Sequence, residues 1–399
     1  MLKLLGLRKE EVEIVNIKTE IYKNKKVKMV YIKSTNKKCR CPYCKEYTKS
    51  IHDTLKPSTI KYLDVAGWQC VLKVSKRRFH CKKCNKNFVE ELTFTQKGSS
   101  TSNKVKIKIH QDLLKYNLSL KYIAEINHVS PDFVISELEK IGERYPKRLK
   151  QLPEIISVDE FKADTNEGKY AFVINDPLKK KVLDVLPNRT KEYLINYFVE
   201  VENRNAVKYV IGDMYEPYLI VTKVMFPKAK YVADRFHYTK HVTGALDEIR
   251  VRIQEQYGYN TKVYRMLKNK KNVSLLRKYS EEINWFKKTI RYKNNRVYEY
   301  YPSEILRELK SIDKDIELGY QLKELFLDII RTSDLEHAKT DLLSWIELCK
   351  ESGIKEFIVA ANTIENWLEP IVNSFIDKRF SNGYTEGLNN KIKVIKRIG

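Results

Sequence analysis

The stretch Val207-Lys-Tyr-Val-Ile-Gly-Asp213-Met-Tyr-Glu-Pro-Tyr218 decides how the second half of this chain folds. Val207–Ile211 is a short apolar run of β-branched and aromatic residues, the pattern of a buried strand. Asp213 closes it, and a helix follows near 215–225. On either side the same grammar repeats. Strands are expected at Ile155–Val158, Tyr170–Ile174 and Lys181–Leu186, a helix near 190–203, and a further strand at Ala229–Ala233. From 240 to about 370 the chain reads as helical almost throughout, and the loop Phe380–Tyr384 precedes a last helix starting at Thr385.

Three acids fall where two-metal chemistry needs them. Asp159 is expected to end the first of these strands, Asp213 ends the fourth, and Glu386 begins the final helix. In a ribonuclease H-like arrangement the first and fourth strands are neighbours, so Asp159 and Asp213 would meet at one sheet edge and the last helix would bring Glu386. Three such carboxylates can hold two Mg²⁺ ions, with Mn²⁺ as a substitute, about 3.5–4 Å apart. Along the last helix Glu386, Asn389, Asn390, Lys393 and Arg397 recur at helical spacing on or near one face, the basic members suited to phosphates.

The 399 residues carry 76 Lys and Arg against 51 Asp and Glu, a net charge of +25. The excess is uneven: residues 1–150 hold 34 basic and 15 acidic side chains, residues 151–399 hold 42 and 36. A basic module joined to a nearly balanced one suggests polyanion binding by the first. No apolar run is long enough to span a bilayer and no signal-peptide core is present, so a cytoplasmic, nucleoid-associated protein is expected, without membrane contact.

Residues 10–35 alternate as in a β-hairpin turning near Asn24. Six of the seven cysteines lie between 39 and 84. Cys41-Pro-Tyr-Cys44 and Cys81-Lys-Lys-Cys84 have the spacing of a structural Zn²⁺ site, with Cys39 and, less suitably, His80 as alternative ligands. Cys70 and Cys349 read as core residues. Gly98-Ser-Ser-Thr-Ser102 looks like a linker. Beyond it, a Ser119-started helix packs Leu120, Ile123 and Ala124 inward, a turn passes through Asn127-His128, and Ser130-Pro131 opens a second helix with Val134 and Leu138 on one face. This is a helix-turn-helix layout, with Lys121, Ser130 and Asp132 as candidate DNA contacts. The expected organisation is therefore a multidomain α+β and α/β chain. It comprises a zinc-ribbon-like module (1–98), a helix-turn-helix module (103–150), and a strand-and-helix region (153–240 with 371–399) around a helical stretch (241–370), which the family resemblance given next implies to be a ribonuclease H-like core interrupted by an all-helical insertion.

With Ser157-Val-Asp-Glu-Phe161, Gly212–Tyr218, Phe226-Pro-Lys-Ala229, Ala233-Asp-Arg-Phe-His237 and Ser381-Asn-Gly-Tyr-Thr-Glu-Gly-Leu-Asn-Asn-Lys-Ile-Lys393, the sequence resembles the ISL-three family of bacterial insertion-sequence transposases along essentially its whole length. The resemblance implies a DDE transposase that binds the terminal inverted repeats of its element and target DNA, and cuts and joins DNA as a homodimer. Asp159, Asp213 and Glu386 would be its triad, with Asp234, His237, Asn389 and Lys393 in support. It also implies residues beyond the last helix, where this chain stops at Arg397-Ile-Gly399. The rival readings are a non-catalytic DNA-binding regulator or inactive remnant, and a nuclease that cuts without joining.

Overall fold

The computed structural model describes residues 2–115, 117–144, 148–293, 296–380 and 383–398. At 3, 4, 289, 291–293, 296–298, 386 and 398 that description covers the backbone alone. Two compact units emerge, residues 1–146 with 391–399, and residues 147–390.

The first unit starts with a short helix, α1 (Leu2–Leu5), and a hairpin of β1 (Val12–Tyr22) and β2 (Lys25–Ser34). Its two turn residues, Lys23 and Asn24, both take positive φ, 49° and 63°. That twist matches the right-handed twist of the paired strands. Seven short strands follow: β3 (Cys39–Arg40), β4 (Tyr47–Thr48), β5 (Ile51–Thr54), β6 (Ser58–Lys61), β7 (Cys70–Ser75), β8 (Arg77–Cys81) and β9 (Lys86–Val89). They sort into a four-stranded sheet of order β1-β2-β7-β6, a three-stranded sheet β5-β8-β9, and the β3-β4 pair. The four-stranded sheet has its own apolar core around Val12, Ile32, Ile60 and Leu72. The cysteine-bearing strands form a separate small cluster with Phe79 and Phe88. Residues 1–98 thus hold the cysteine-bearing strands and, with its own core, a four-stranded sheet.

The expected linker is not one. Thr101 bridges to Lys61 and Ser102 to Thr95, and both are buried. The Ser102 hydroxyl caps α2 (Asn103–Leu113) by accepting from the Val105 N–H. Ser119 and Ser130 cap α3 (Leu120–Ile126) and α4 (Pro131–Gly142) in the same way. His128, at φ 54°, makes the turn between them. Ile123, Ala124 and Val134 are buried as the periodicity requires. Leu138 is instead exposed. Position 137 takes the inward place on α4, where the Glu137 carboxylate meets His110 Nε2 at 2.9 Å and Lys140 Nζ at 2.8 Å. Ion pairing makes that burial affordable.

The second unit is built on a five-stranded sheet of β10 (Ile155–Lys162), β11 (Tyr170–Asp176), β12 (Lys181–Leu186), β13 (Tyr209–Gly212) and β14 (Lys230–Ala233), in the order β12-β11-β10-β13-β14. The first three pair antiparallel, while β10-β13 and β13-β14 are parallel. Helices α5 (Lys191–Phe198) and α6 (Glu216–Met225) contribute to one core, in which Phe172, Phe198, Tyr218 and Phe226 pack with Ile156 and Val210. Ile211 and Val232 belong to a second cluster, with Phe380. Strand β10 runs on past Asp159, which therefore does not end it. The parallel pairing with β13 stops at Ser157, but antiparallel pairing with β11 carries the strand to Lys162.

Then come α7 (Arg235–Glu255), α8 (Lys262–Lys268), α9 (Lys270–Arg277), β15 (Thr289–Lys293), β16 (Arg296–Tyr300), α10 (Pro302–Lys310), α11 (Lys314–Thr332), α12 (Leu335–Glu351), α13 (Lys355–Asn366), α14 (Leu368–Asn373) and α15 (Gly383–Ile398). The antiparallel β15-β16 hairpin corrects the expectation of an all-helical insertion. Its residues alternate without the 3.6-residue apolar stripe that buries the flanking helices. Trp345, Phe326 and Phe357 centre the helical core, into which α7 packs along most of its length. Among the described residues no helix is long and apolar enough to cross a membrane.

Gly212, at the end of β13, is required by space. A Cβ there would lie 2.5 Å from the Tyr231 hydroxyl and 2.9 Å from Val158 Cγ2. Gly212→Ala is expected to destabilise the protein by about 1–3 kcal/mol, as overpacking does. Urea or thermal unfolding checks this.

Candidate active site and metal centre

Cys41 and Cys44 sit on a tight turn between β3 and β4, and Cys81 and Cys84 on its counterpart between β8 and β9. In each turn the residue after the second cysteine, Lys45 or Asn85, has positive φ, 63° or 56°. In each, that residue's N–H donates to the carbonyl of the first cysteine. The four sulfurs converge: Cys41 and Cys84 Sγ are 3.6 Å apart, Cys44 and Cys81 Sγ 3.5 Å, and all four lie within 4.8 Å of one another. Tetrahedral zinc with Zn–S bonds of about 2.3 Å needs sulfur separations near 3.8 Å. Four thiols around a common centre are the donor set of structural Zn²⁺. Cys39 and His80 stay outside the cluster. Burial raises the Cys39 thiol pKa, and His80 Nδ1 is 2.9 Å from Asn87 Oδ1. Cys70 and Cys349 are core residues.

The acids of the second unit gather at one end of the sheet. Asp159 lies on β10 just beyond its parallel pairing, and Asp213 follows the adjacent β13. Asp234 follows β14 and His237 occupies the first turn of α7. Ligand atoms of Asp213, Asp234 and His237 lie within 4.8 Å of one another. His237 Nε2 is 2.9 Å from Asp213 Oδ1 and 4.0 Å from Asp234 Oδ2. Asp159 Oδ1 accepts from the Glu160 N–H at 2.7 Å and Oδ2 from Asn389 Nδ2 at 2.6 Å. Burial, reinforced by the charge of Asp213, pushes the Asp159 pKa up to about 7. His237 is shifted upward chiefly by its contact with Asp213. The Tyr231 hydroxyl, which donates to the Asp213 carbonyl at 2.6 Å, is raised far above its ordinary range by burial and the surrounding acids.

Helix α15 is fastened to this corner by its first turns. The Thr385 hydroxyl meets Ser157 Oγ at 3.1 Å and accepts from Asn175 Nδ2 at 3.2 Å, and Asn389 reaches Asp159. Glu386 lies between Thr385 and Asn389 on the backbone; its side chain lies outside the described residues. Asn390 is exposed. Lys393 falls in the stretch 391–399 that belongs to the first unit. There Ser130 is spent on its helix cap, and Lys121 and Asp132 are exposed.

Several contributors escape a reading of the sequence. Glu160, on the face of β10 opposite Asp159, binds the Arg189 guanidinium and accepts from the Tyr218 hydroxyl at 2.5 Å. Arg189 in turn stacks over Tyr170 at 4.1 Å and Tyr215 at 4.8 Å. This explains the tyrosines of Gly212–Tyr218: they clamp β10 from behind while Asp159 faces the acids. Adjacency to Asp159 was the available signal for Glu160; Arg189, in a loop, had none.

Among the described residues, Asp213 Oδ1 and Asn389 Oδ1 are buried without an aligned hydrogen bond, although His237 approaches the former. Oxygen donors left unsatisfied beside a carboxylate of raised proton affinity fit a hard divalent cation.

The sequence profile of a transposase family, of the DDE type named for ISL3, matches residues 156–399, from β10 through α15. This chain belongs to the ISL3 family of transposases. A second profile, the zinc-finger of transposase IS204/IS1001/IS1096/IS1165, matches residues 37–84 and so spans all four sulfur ligands. The transposase for insertion sequence element IS1001 of Bordetella parapertussis is 24% identical over 373 residues, covering 92% of this transposase and 86% of that one.

Two outcomes are expected. The transposase purified without chelators should carry about one Zn²⁺ per chain by elemental analysis. Cys44→Ser or Cys81→Ser should lose it and raise amide exchange across residues 39–90 while leaving the second unit folded. Asp159 titrates near pH 7 when folded and in the usual carboxylate range when unfolded, so its destabilising effect grows from about pH 4 and is complete above about pH 7. Without added divalent cation, Asp159→Asn should therefore raise Tm by a few degrees at pH 8, the gain shrinking toward pH 4.

Proposed function

We propose that this transposase binds the terminal inverted repeats of an insertion sequence through its first unit and cleaves and joins DNA at the acidic corner of its second. The observation that carries this reading is the placement of Asp159 and Asp213 on adjacent strands, with unsatisfied oxygens beside them. The mixed sheet, three antiparallel strands followed by two parallel ones, supports a ribonuclease H-like core interrupted by the segment 241–370. The serine-capped α3 and α4, joined at a left-handed His128, support a helix-turn-helix in which Lys121 and Asp132 face DNA.

Asp159, Asp213 and Glu386 would hold two Mg²⁺ ions. Bound there, the metal would activate a water or 3′-hydroxyl and stabilise the leaving oxygen. The protein's own groups prepare the corner. Asn389 donates to Asp159 Oδ2 and fixes its rotamer. His237, held toward its protonated form by Asp213, offsets part of the like-charge repulsion and presents a cation to an incoming phosphate. Thr385 anchors the helix that carries Glu386. Asp234, further out in the sheet, serves as a supporting group. Two element ends must be paired, so a dimer on DNA is the expected working form.

The test is incubation with labelled element ends and Mg²⁺. Asp159→Asn, Asp213→Asn and Glu386→Gln should each abolish cleavage with end binding retained, since each keeps side-chain size and removes charge. Asp234→Asn should lower cleavage less. Active Asp213→Asn beside inactive Asp234→Asn would move the second ligand to Asp234; cleavage without joined product would reduce the activity to that of a nuclease.

A further inference from the structure

A concavity of about 1160 Å³ lies in the helical part of the second unit and begins at Arg235, next to the acids. Eight of its lining side chains are Lys or Arg and one, Glu282, is acidic. Small-molecule sites are mostly apolar and of roughly 300–1,000 Å³; this concavity is larger and sets eight cations among apolar side chains such as Val273, Leu327 and Ile330. Helix α7 forms its floor. Arg235, Thr239, Thr243, Arg250 and Gln254 recur along one side of that helix, a span of about 28 Å at 1.5 Å per residue. The walls are organised in advance. Asp247 holds Arg250 and Arg277, each at 2.7 Å, and Glu282 holds Arg331, which also lies over the Tyr279 ring. Three lysines, Lys270, Lys278 and Lys378, are exposed on the lining with no acid within ion-pairing distance among the described residues.

We propose that this groove is a track for a DNA phosphate backbone, held without regard to sequence. The inference rests on the transposase reading and adds a second DNA surface to it. Position decides for DNA over an acidic protein segment. Arg235 opens the groove immediately after Asp234 and two residues before His237, so a strand at the acids continues onto the floor of α7. Its Nε is a buried donor without a partner among the described residues, while its Nη2 donates to the Ser374 carbonyl at 2.8 Å. At about 3.4 Å per nucleotide along one strand, 28 Å corresponds to about eight nucleotides. The hydroxyls of Thr239 and Ser274 and the amide of Gln254 are donors suited to phosphate oxygens.

The experiment compares the full chain with its Lys270→Gln/Lys278→Gln/Lys378→Gln variant on a duplex that lacks element-end sequence, across a salt series. Three lost phosphate contacts should flatten the slope of log K against log salt by about 2.7 and lower affinity at least tenfold at low salt, with Tm unchanged. A photo-crosslinking residue at position 270 should label DNA. An unchanged slope, or crosslinks to a second protein copy in place of DNA, overturns the proposal. Failure here is separable from failure of the catalytic reading. A chain that cuts element ends while the triple variant binds like the parent refutes only the groove. A chain that never cuts, yet shows the lysine-dependent slope, refutes only the catalysis.

Discussion

Like-charge crowding at one end of a five-stranded sheet is the constraint around which the second unit is arranged. Asp159, Asp213 and Asp234 follow or lie on three consecutive strands in space, β10, β13 and β14, and His237 brings a positive charge among them. Burial first, and the charge of Asp213 second, oppose ionisation of Asp159 and so oppose folding. Burial elsewhere must offset it. The apolar cluster of Ile156, Phe172, Val210 and Phe226 fixes the strands whose ends carry the acids. Strain concentrated where chemistry is wanted and paid for by a packed scaffold is a common division of labour in enzymes.

That scaffold is unusually well braced around Asp159. From behind, Glu160 is clamped by Arg189 and Tyr218; from the side, Thr385 ties α15 to Ser157 and Asn175; in front, Asn389 donates to the carboxylate itself. The contacts that tie α15 to β10 and β11 join residues 210 to 230 apart in sequence. The helical segment between them closes the loop by packing α7, which begins at the acids, against α11 and α13. Gly319 permits that approach: a Cβ there would fall 2.8 Å from Ile249 and 3.1 Å from Phe357. The same helix α7 thus presents His237 to the acids and a basic face to the groove.

The first unit solves a different problem. Its zinc-bearing strands are only two to five residues long, too short to form a core beyond Phe79 and Phe88. Four sulfurs around a metal supply the cross-link that burial cannot. The neighbouring β1-β2-β7-β6 sheet, with a full apolar face, needs no such staple.

Much of this was legible in the chain. Local features carried by adjacent residues were written in the sequence: the Asn24 hairpin, the paired C-x-x-C turns, the serine caps at 119 and 130, and the strand before Asp213. Each depends on backbone preference or ligand spacing within a few residues. Where neighbours distant in sequence decide, the reading missed. Gly98–Ser102 has a linker's composition, but β6 binds it. Leu138 fits the apolar stripe of α4, yet His110 pulls Glu137 into the inward place. Asp159 sits mid-strand because β11 extends the pairing, and the basic groove exists only because α7 and α9 lie beside each other. The sequence by itself determined which segments form and which chemistry they carry. Tertiary structure alone decided which side chains meet, because burial and pairing energies depend on partners that no local pattern names.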